Sequence, residues 1–412
     1  MPTHPFTHFI THFTMYLSLF LAVLPLAMAV PARREPAPLL RPRTDDKNLL
    51  AGKYIVKFKD GKDGDKMSVS ALNNKISTLN VTPDHVYKTT FQGFSGQLTD
   101  EELEALRHSN DRKVEYVEQD SSLSAYAFVE QASPPWGLGR ISTHDRKTGV
   151  PYTYDSSAGA GTCAYVIDTG IDVTHPDFEG RAEMVANFVD NINTDDDGHG
   201  THVAATIGGA KYGVAKKTRL LGIRVLTKDG DGSLAGFIKG MDFVAEDSAK
   251  RNCTKGVVSN MSVGGAFSTS INEAAASMVK KNIFLAVAAG NGNTDAKDFS
   301  PASEPTVCTV GAASPWDGRW LHSNYGAAVD VYAPGQNVLS ALPGGTQGEK
   351  SGTSMASPHI AGLAAYLAGL EGFTDPQTLC KRIADLATEG KLGGIPEGTP
   401  NKLAFNGNPS GK

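Results

Sequence analysis

The stretch Cys163-Ala164-Tyr165-Val166-Ile167-Asp168-Thr169-Gly170 decides how the chain folds. Its first five residues make a strand-length apolar run with no polar face for water, so the strand is covered on both sides. Asp168 ends the run, and a carboxylate there is costly unless a cation or hydrogen-bond donor meets it. Working outward, further strand-like runs occupy residues 220–226, 256–263, 283–288 and 307–310. Helical patterns lie between them, over 236–249 and in a capped segment opening at Ser270-Ile271-Asn272-Glu273. Apolar strands alternating with helices predict an α/β fold, a mostly parallel sheet between two layers of helices. Working residues of such folds sit in loops beyond the carboxyl ends of the strands.

Three more stretches put chemistry at such positions. Gly198-His199-Gly200-Thr201-His202-Val203 opens a second apolar run. Asn291, in Ala288-Ala289-Gly290-Asn291, stands just past a strand end, where its NH2 can donate to a developing negative charge without changing protonation. Ser351-Gly352-Thr353-Ser354-Met355-Ala356-Ser357-Pro358 runs straight into an apolar helical pattern of Ile360, Leu363, Ala364, Leu367 and Leu370. A serine at such a helix start either caps it or faces unpaired N–H groups that suit an oxyanion. Asp168, His199, Asn291 and Ser354 together supply an orienting acid, a base, an oxyanion donor and a nucleophile. The α/β-hydrolase pattern G-x-S-x-G, with order Ser, Asp, His, is not followed. Zinc on His199 and His202 would need further ligands at suitable spacing, which leaves His202 structural. Asp195-Asp196-Asp197 reads as a solvated acidic turn, with a calcium loop as the alternative.

A chain of 412 residues has room for one large and one smaller domain. Its net charge of −5, with signs interspersed, gives no reason to expect nucleic acid or an acidic membrane as partner. Residues 15–29 are apolar, too short for a comfortable membrane span, and end in Ala27-Met28-Ala29, a secretory signal with an A-x-A cleavage site rather than a membrane anchor. The preceding region has His4, His8 and His12 but no Lys or Arg, so either histidine supplies the charge or translation starts at Met15. An extracellular, oxidising destination favours pairing of Cys163, Cys253, Cys308 and Cys380, with three connectivities open. Asn80 and Asn252 are expected glycosylation sites, whereas the sequon at Asn260 falls in a buried strand.

Upstream lies a smaller module. Residues 30–52 are rich in Pro and Arg and read as a linker. Tyr54-Ile55-Val56-Lys57-Phe58 alternates as a strand does, residues 65–79 suit a helix, and 85–98 read as two strands broken at Gly93. Thr99-Asp100-Glu101-Glu102 is a capping box, and Val114-Glu115-Tyr116-Val117 a last strand. This β-α-β-β-α-β order is a small α+β fold, serving as a binding module or a propeptide.

With these motifs assembled, the chain resembles subtilisin-type serine endopeptidases, in particular the secreted fungal enzymes of the proteinase K group. The resemblance rests on Val166-Ile167-Asp168-Thr169-Gly170, His199-Gly200-Thr201-His202, Ala289-Gly290-Asn291 and Gly352-Thr353-Ser354-Met355-Ala356, over residues 134–408. Residues 50–125 resemble the family's propeptide. The resemblance implies a subtilisin-like three-layer fold with a signal over 1–29, a propeptide over 30–126 whose inhibitory domain spans about 53–120, and a catalytic domain over 127–412. It implies the four catalytic roles for Asp168, His199, Ser354 and Asn291, and self-cleavage at Tyr126-Ala127. Gly230-Asp231-Gly232 and Ser262-Val263-Gly264 would flank an extended peptide substrate, and Gly264-Gly265 with Ala288-Ala289-Gly290 would floor a pocket for large apolar or aromatic side chains. Leu234 stands where proteinase K has an aromatic, and Val203 where that group has a free cysteine. The group's bridges imply Cys163–Cys253 and Cys308–Cys380. One structural calcium is implied by Asp330 with the carbonyls of Pro305 and Val307, while Lys391 stands where a second site has its carboxylate, so that site is expected to be absent. No organic cofactor is implied. The expected partners are protein substrates and the chain's own propeptide as inhibitor, for a protein working as a monomer. Two other readings use the same fold: a secreted binding protein with a silent site, and an esterase with the same triad.

Overall fold

The computed structural model describes residues 35–42, 49–60, 66–79, 81–108, 114–122 and 128–411. The signal stretch, Asn80 and the Tyr126-Ala127 junction lie outside the described residues. The chain divides into two compact units, one built around Val56–Val117 and the other around Glu118–Lys412.

The N-terminal part of the chain carries strands β1 (Leu39–Leu40) and β2 (Leu49–Phe58), helix α1 (Val69–Ser77), strands β3 (Pro83–Tyr87) and β4 (Gly93–Gln97), helix α2 (Asp100–Arg107) and strand β5 (Val114–Ser121). The strands form one sheet in the order β1-β5-β2-β4-β3. The capping box is made: Thr99 Oγ1 accepts from Glu102 N at 3.2 Å and Glu102 Oε2 accepts from Thr99 N at 2.8 Å. Helix α1 starts later than residue 65 because Ser68 caps it, accepting from Ala71 N. One expectation needs correcting. Residues 30–52 are not simply a linker, because Leu39–Leu40 joins the sheet and β2 already begins at Leu49.

The second unit opens with β6 (Phe128–Gln131), α3 (Trp136–Arg140) and β7 (Tyr152–Asp155), β6 and β7 pairing as a ribbon. Then come β8 (Cys163–Asp168), β9 (Ala182–Asn187), α4 (His199–Gly208), β10 (Arg219–Arg224), α5 (Leu234–Asp247) and β11 (Val257–Met261). They are followed by β12 (Gly265–Ala266), α6 (Thr269–Lys280), β13 (Ile283–Ala288), β14 (Phe299–Ser300), β15 (Cys308–Ala313) and β16 (Val331–Pro334). A hairpin of β17 (Val338–Leu342) and β18 (Thr346–Lys350) leads into α7 (Thr353–Glu371), and α8 (Pro376–Leu386), β19 (Thr388–Glu389) and β20 (Lys402–Leu403) close the chain. The main sheet has nine strands in the order β19-β20-β16-β15-β13-β11-β8-β10-β9, and only the β19–β20 pair is antiparallel.

Strand β8 is the pivot. Its neighbours are β10 on one side and β11 on the other, so the chain switches direction across the sheet there, and ligands of open α/β sheets collect beyond such a switch point. Alternation within β8 divides the core. Ala164 and Val166 pack with α4 and α7, whereas Cys163, Tyr165 and Ile167 pack with α5 and α6. Helix α7 is buried over nearly its whole length, as a helix apolar on every side must be. The caps of α5 and α6 are Ser233 and Ser268, the second two residues ahead of the expected Ser270. Cys163 is bonded to Cys253 and Cys308 to Cys380, closing loops of 90 and 72 residues.

Candidate active site

Asp168 is the last residue of β8 and is completely buried. Its Oδ1 lies 2.6 Å from His199 Nδ1 and accepts from Thr169 N at 2.8 Å. Its Oδ2 has no hydrogen-bond partner among the described residues. A buried carboxylate with one oxygen unsatisfied gains most when the ring beside it becomes a cation. Burial alone would pull the His199 pKa down, but the Asp168 charge and hydrogen bond outweigh it, and the ring sits above the ordinary histidine value.

His199 is the first residue of α4, held there by two carboxylates. Asp197 Oδ1 accepts from His199 N at 2.8 Å. Asp195 accepts from Gly198 N, Asp197 N, Thr201 N, Thr201 Oγ1 and Thr169 Oγ1 at 2.6–3.1 Å. Thr169 Oγ1 also accepts from Gly200 N at 2.9 Å, so Asp195 ties the residue after Asp168 to the turn that carries His199. The two loops meet backbone to backbone: a Cβ on Gly200 would fall 2.0 Å from Gly170 O, which only glycine avoids. The Asp195-Asp196-Asp197 run is therefore not a solvated turn throughout. Asp195 is 3% exposed and fully bonded, and Asp196 pairs with Arg224. What spacing alone could not reveal is that backbone N–H groups and a distant strand arginine supply the donors.

Ser354 is the second residue of α7, whose N-cap is Gly352, so it does not cap the helix. Its Oγ donates to Ser262 O at 2.9 Å, and Ser262 Oγ donates back to Ser354 O at 2.7 Å. The second bond has a cause in the sequence. Pro358 lacks the N–H that would meet Ser354 O in an unbroken helix, and the Ser262 hydroxyl stands in. Ser262 Oγ in turn accepts from Asn260 Nδ2 at 2.9 Å, and Asn260 Oδ1 accepts from Ser357 Oγ at 2.6 Å. Asn260 has no exposed surface, whereas Asn252 is exposed.

Asn291 Oδ1 accepts from Thr353 N at 2.9 Å and Thr353 Oγ1 at 2.7 Å. Both bonds engage the carbonyl oxygen, so the NH2 is turned the other way. A Cβ on Gly352 would lie 3.4 Å from Asn291 Nδ2 and 3.5 Å from Ser354 N, so both groups border the space that this glycine leaves open. Neither Asn291 Nδ2 nor Ser354 N has a hydrogen-bond acceptor among the described residues.

A cleft of about 430 Å³ is lined by Ser354, Asn291, the two backbone segments Gly230-Asp231-Gly232 and Ser262-Val263-Gly264, and Gly265, Ala288 and Gly290. Two expected residues do not line it. Ala289 is packed into the core with its N–H bonded to Val310 O, and Leu234, at the start of α5, projects into solvent at 54% exposure. Leu226, Phe237, Phe299, Ser300 and Thr353 line it without having been singled out from sequence. Phe299 arrives through the antiparallel pairing of β12 with β14, which no local pattern announces. Asp231 is the one ionisable side chain in this lining, and it is exposed.

His202 is turned away from the site and bonded to Val338 O at 2.8 Å. Burial drops its pKa to about 4. Asp330 borders a separate cavity of about 490 Å³ with Pro305 and Val307. One of its oxygens accepts from Thr309 N at 2.8 Å, and burial pushes the carboxyl up to about 6. The nearby sulfurs of Cys308 and Cys380 are spent in their disulfide, leaving oxygen donors. Lys391 Nζ lies 3.3 Å from Asp145 Oδ1.

A buried Asp–His pair, a serine at a helix start and an amide with a free NH2, on a parallel α/β sheet, are parts that a serine hydrolase would use, although Ser354 Oγ here is bonded to Ser262 O and not to His199. Comparison with known proteins makes the class specific. Residues 159–397 match the subtilase family, and residues 53–126 match the peptidase inhibitor I9 family. The chain is 55% identical over 392 residues to the subtilisin-like serine protease AsES of Sarocladium strictum, covering 95% of this chain and 98% of that one. It is 51% identical over 389 residues to a cuticle-degrading protease of Metarhizium anisopliae, covering 93% and 98%. It is 48% identical over 390 residues to proteinase R of Parengyodontium album, covering 93% and 97%. Among solved structures, a cold-adapted subtilisin-like serine proteinase superposes with a TM-score of 0.63 at 40% identity, covering 66% of this chain and 98% of that one. The chain belongs to the subtilase family of serine endopeptidases and carries an I9 propeptide as an intramolecular inhibitor. No helix among the described residues is long and apolar enough to cross a membrane.

Proposed function

We propose that Ser354, His199, Asp168 and Asn291 carry the peptidase reaction. The observation that supports this most is the fixed Asn291 amide, its oxygen taken by Thr353 while its NH2 and Ser354 N border the same space at Gly352. Ser354 Oγ turns from Ser262 O toward His199 Nε2, gives up its proton there and attacks the scissile carbonyl carbon. The carbonyl oxygen takes the displaced electron pair and is held by Asn291 Nδ2 and Ser354 N, donors that need no reorganisation as the charge develops. Asp168 keeps the ring in the Nδ1–H tautomer and stabilises the imidazolium. The ring then protonates the leaving amine as the C–N bond breaks, and water attacks the acyl-enzyme with His199 again as base.

The cleft favours large apolar or aromatic side chains ahead of the scissile bond, since Phe299, Ala288 and glycines line it. We assign residues 30–126 to the propeptide and 127–412 to the mature enzyme, with self-cleavage at Tyr126-Ala127, and place the protein outside the cell, as a monomer, by way of a signal over 1–29. Asp330 with the carbonyls of Pro305 and Val307 suits a calcium ion: the donors are hard oxygens, and a buried carboxyl pushed toward neutrality is ionised by a cation. Lys391 already gives Asp145 a cationic partner, which supports one calcium site rather than two. Asn252 is the exposed sequon, open to glycosylation.

The test is hydrolysis of a peptide anilide with an apolar residue before the scissile bond, with and without a serine-directed phosphonate. Inhibition with the label on Ser354 is expected. Hydrolysis that persists with Ser354 labelled, or a label elsewhere, refutes the assignment.

A further inference from the structure

We propose that Asn324 is a positioning residue for catalysis, holding the loop that presents the Asn291 amide. The inference rests on reading Asn291 as the oxyanion donor. Asn291 stands in the segment 289–294 beyond the end of β13, is exposed, and has no hydrogen bond to its own peptide N–H among the described residues. Thr353 holds its side-chain oxygen, and the course of its backbone is set by its neighbours.

Asn324 grips those neighbours on both sides. It has no exposed surface. Its Oδ1 accepts from Gly292 N at 2.9 Å, Thr294 N at 3.1 Å and Thr294 Oγ1 at 3.3 Å, all after Asn291. Its Nδ2 donates to Ala289 O at 2.9 Å, and its backbone N–H to Gly290 O at 2.8 Å, both before Asn291. One amide thus closes the loop around the residue it presents. The fit has a sequence correlate at Gly290, whose φ is +102° and where a Cβ would fall 2.4 Å from Asn324 Nδ2. Asn324 is itself anchored through Ser323, whose Oγ accepts from Ala312 N at 3.0 Å and donates to Asn324 O at 2.9 Å. Because an oxyanion donor works only within a few tenths of an ångström of its place, a loosened loop weakens the transition state more than the ground state.

The test is a double-mutant cycle on the matured enzyme, with active sites counted by a serine-directed label and folding followed by thermal unfolding. Asn324→Ala is expected to lower kcat by about tenfold or more while KM stays within about twofold. In the Asn291→Leu background the same change is expected to cost less than about twofold, because the group it positions is gone. Asn324→Asp keeps the three acceptor bonds and serves if the alanine variant does not fold. It is expected to lower kcat with the same loss of effect in the Asn291→Leu background. Equal losses in both backgrounds, or a lowered Tm with kcat intact, overturn the proposal. A full kcat in Asn291→Leu alone overturns the oxyanion reading itself, an outcome distinguishable from the other two.

Discussion

The Arg224 guanidinium lies 2.8 Å from the Asp196 carboxylate, in a side chain with no exposed surface. It also reaches both oxygens of Asp190, at 2.9 and 3.2 Å, and Thr169 O at 2.5 Å. Arg224 is the register partner of Asp168 in β10, so one internal cation joins the acidic loop before His199 to the residue after Asp168. Removing it strands two carboxylates and a carbonyl, although both aspartates keep some contact with water. Arg224→Met is expected to cost about 2–3 kcal/mol, below the full figure for a dry pair. Arg224→Lys costs less but not nothing, since a point charge cannot fork. The denaturation midpoint of the matured enzyme is the measure, and an unchanged midpoint for Arg224→Met removes the role.

With His199 as the proposed base, activity is expected to follow its ring, which must be neutral to take a proton. Its pKa is raised, so kcat/KM falls as pH drops through a midpoint above the usual histidine value of about 6.5. Asp168→Asn takes away what raises it, and the midpoint should move down while kcat falls by about 10⁴-fold through loss of the tautomer, a figure taken from serine proteases of another fold. A pH–rate profile with the same acid limb in both proteins contradicts this account.

Stability at acid pH depends on two other rings. His202 and His359 are buried neutral, and burial drops each pKa to about 4. Below about 6.5 the unfolded chain binds these protons and the native one does not, so stability is complete above that pH and is lost as pH falls to about 4. The combined loss is on the order of several kcal/mol. His359→Gln should flatten the decline in Tm over this window if the fold tolerates the change, and an equally steep decline in a folded variant refutes the assignment.

Replacing Ser354 by Ala should lower turnover on the order of a millionfold, the value established for subtilisin itself rather than derived from this structure. The same variant, secreted alone, should retain residues up to Tyr126. N-terminal sequencing that finds Ala127 first in the Ser354→Ala protein sinks self-processing.

The proposed calcium site at Asp330 provides a separate handle. A ligand present at about a hundred times its Kd stabilises by about 2.7 kcal/mol, so chelation should lower Tm by several degrees. Asp330→Asn should bring the same loss and make Tm indifferent to the chelator. A chelator effect that survives Asp330→Asn places the ion elsewhere.

Much of the sheet could be read from sequence because a doubly covered strand writes itself as an unbroken apolar run, as residues 163–167 do. The four proposed catalytic residues were legible for a related reason, since each sits just past such a run or at the helix it leads into. What escaped was whatever depends on distant partners. Phe299 enters the cleft through a two-residue antiparallel pair, Asn324 grips a loop some thirty residues upstream, and Asp195 is satisfied by backbone groups. Ser354 looked like a cap by residue type, but Gly352 holds the cap position and leaves the hydroxyl to Ser262.

Asn260 is both a sequon and a buried strut between Ser262 and Ser357. A glycan on Asn260 Nδ2 would occupy the nitrogen that donates to Ser262 Oγ, so the two identities exclude each other. The fold therefore accommodates this sequon only with its amide unmodified, joined to Ser262 just past β11 and to Ser357 in α7.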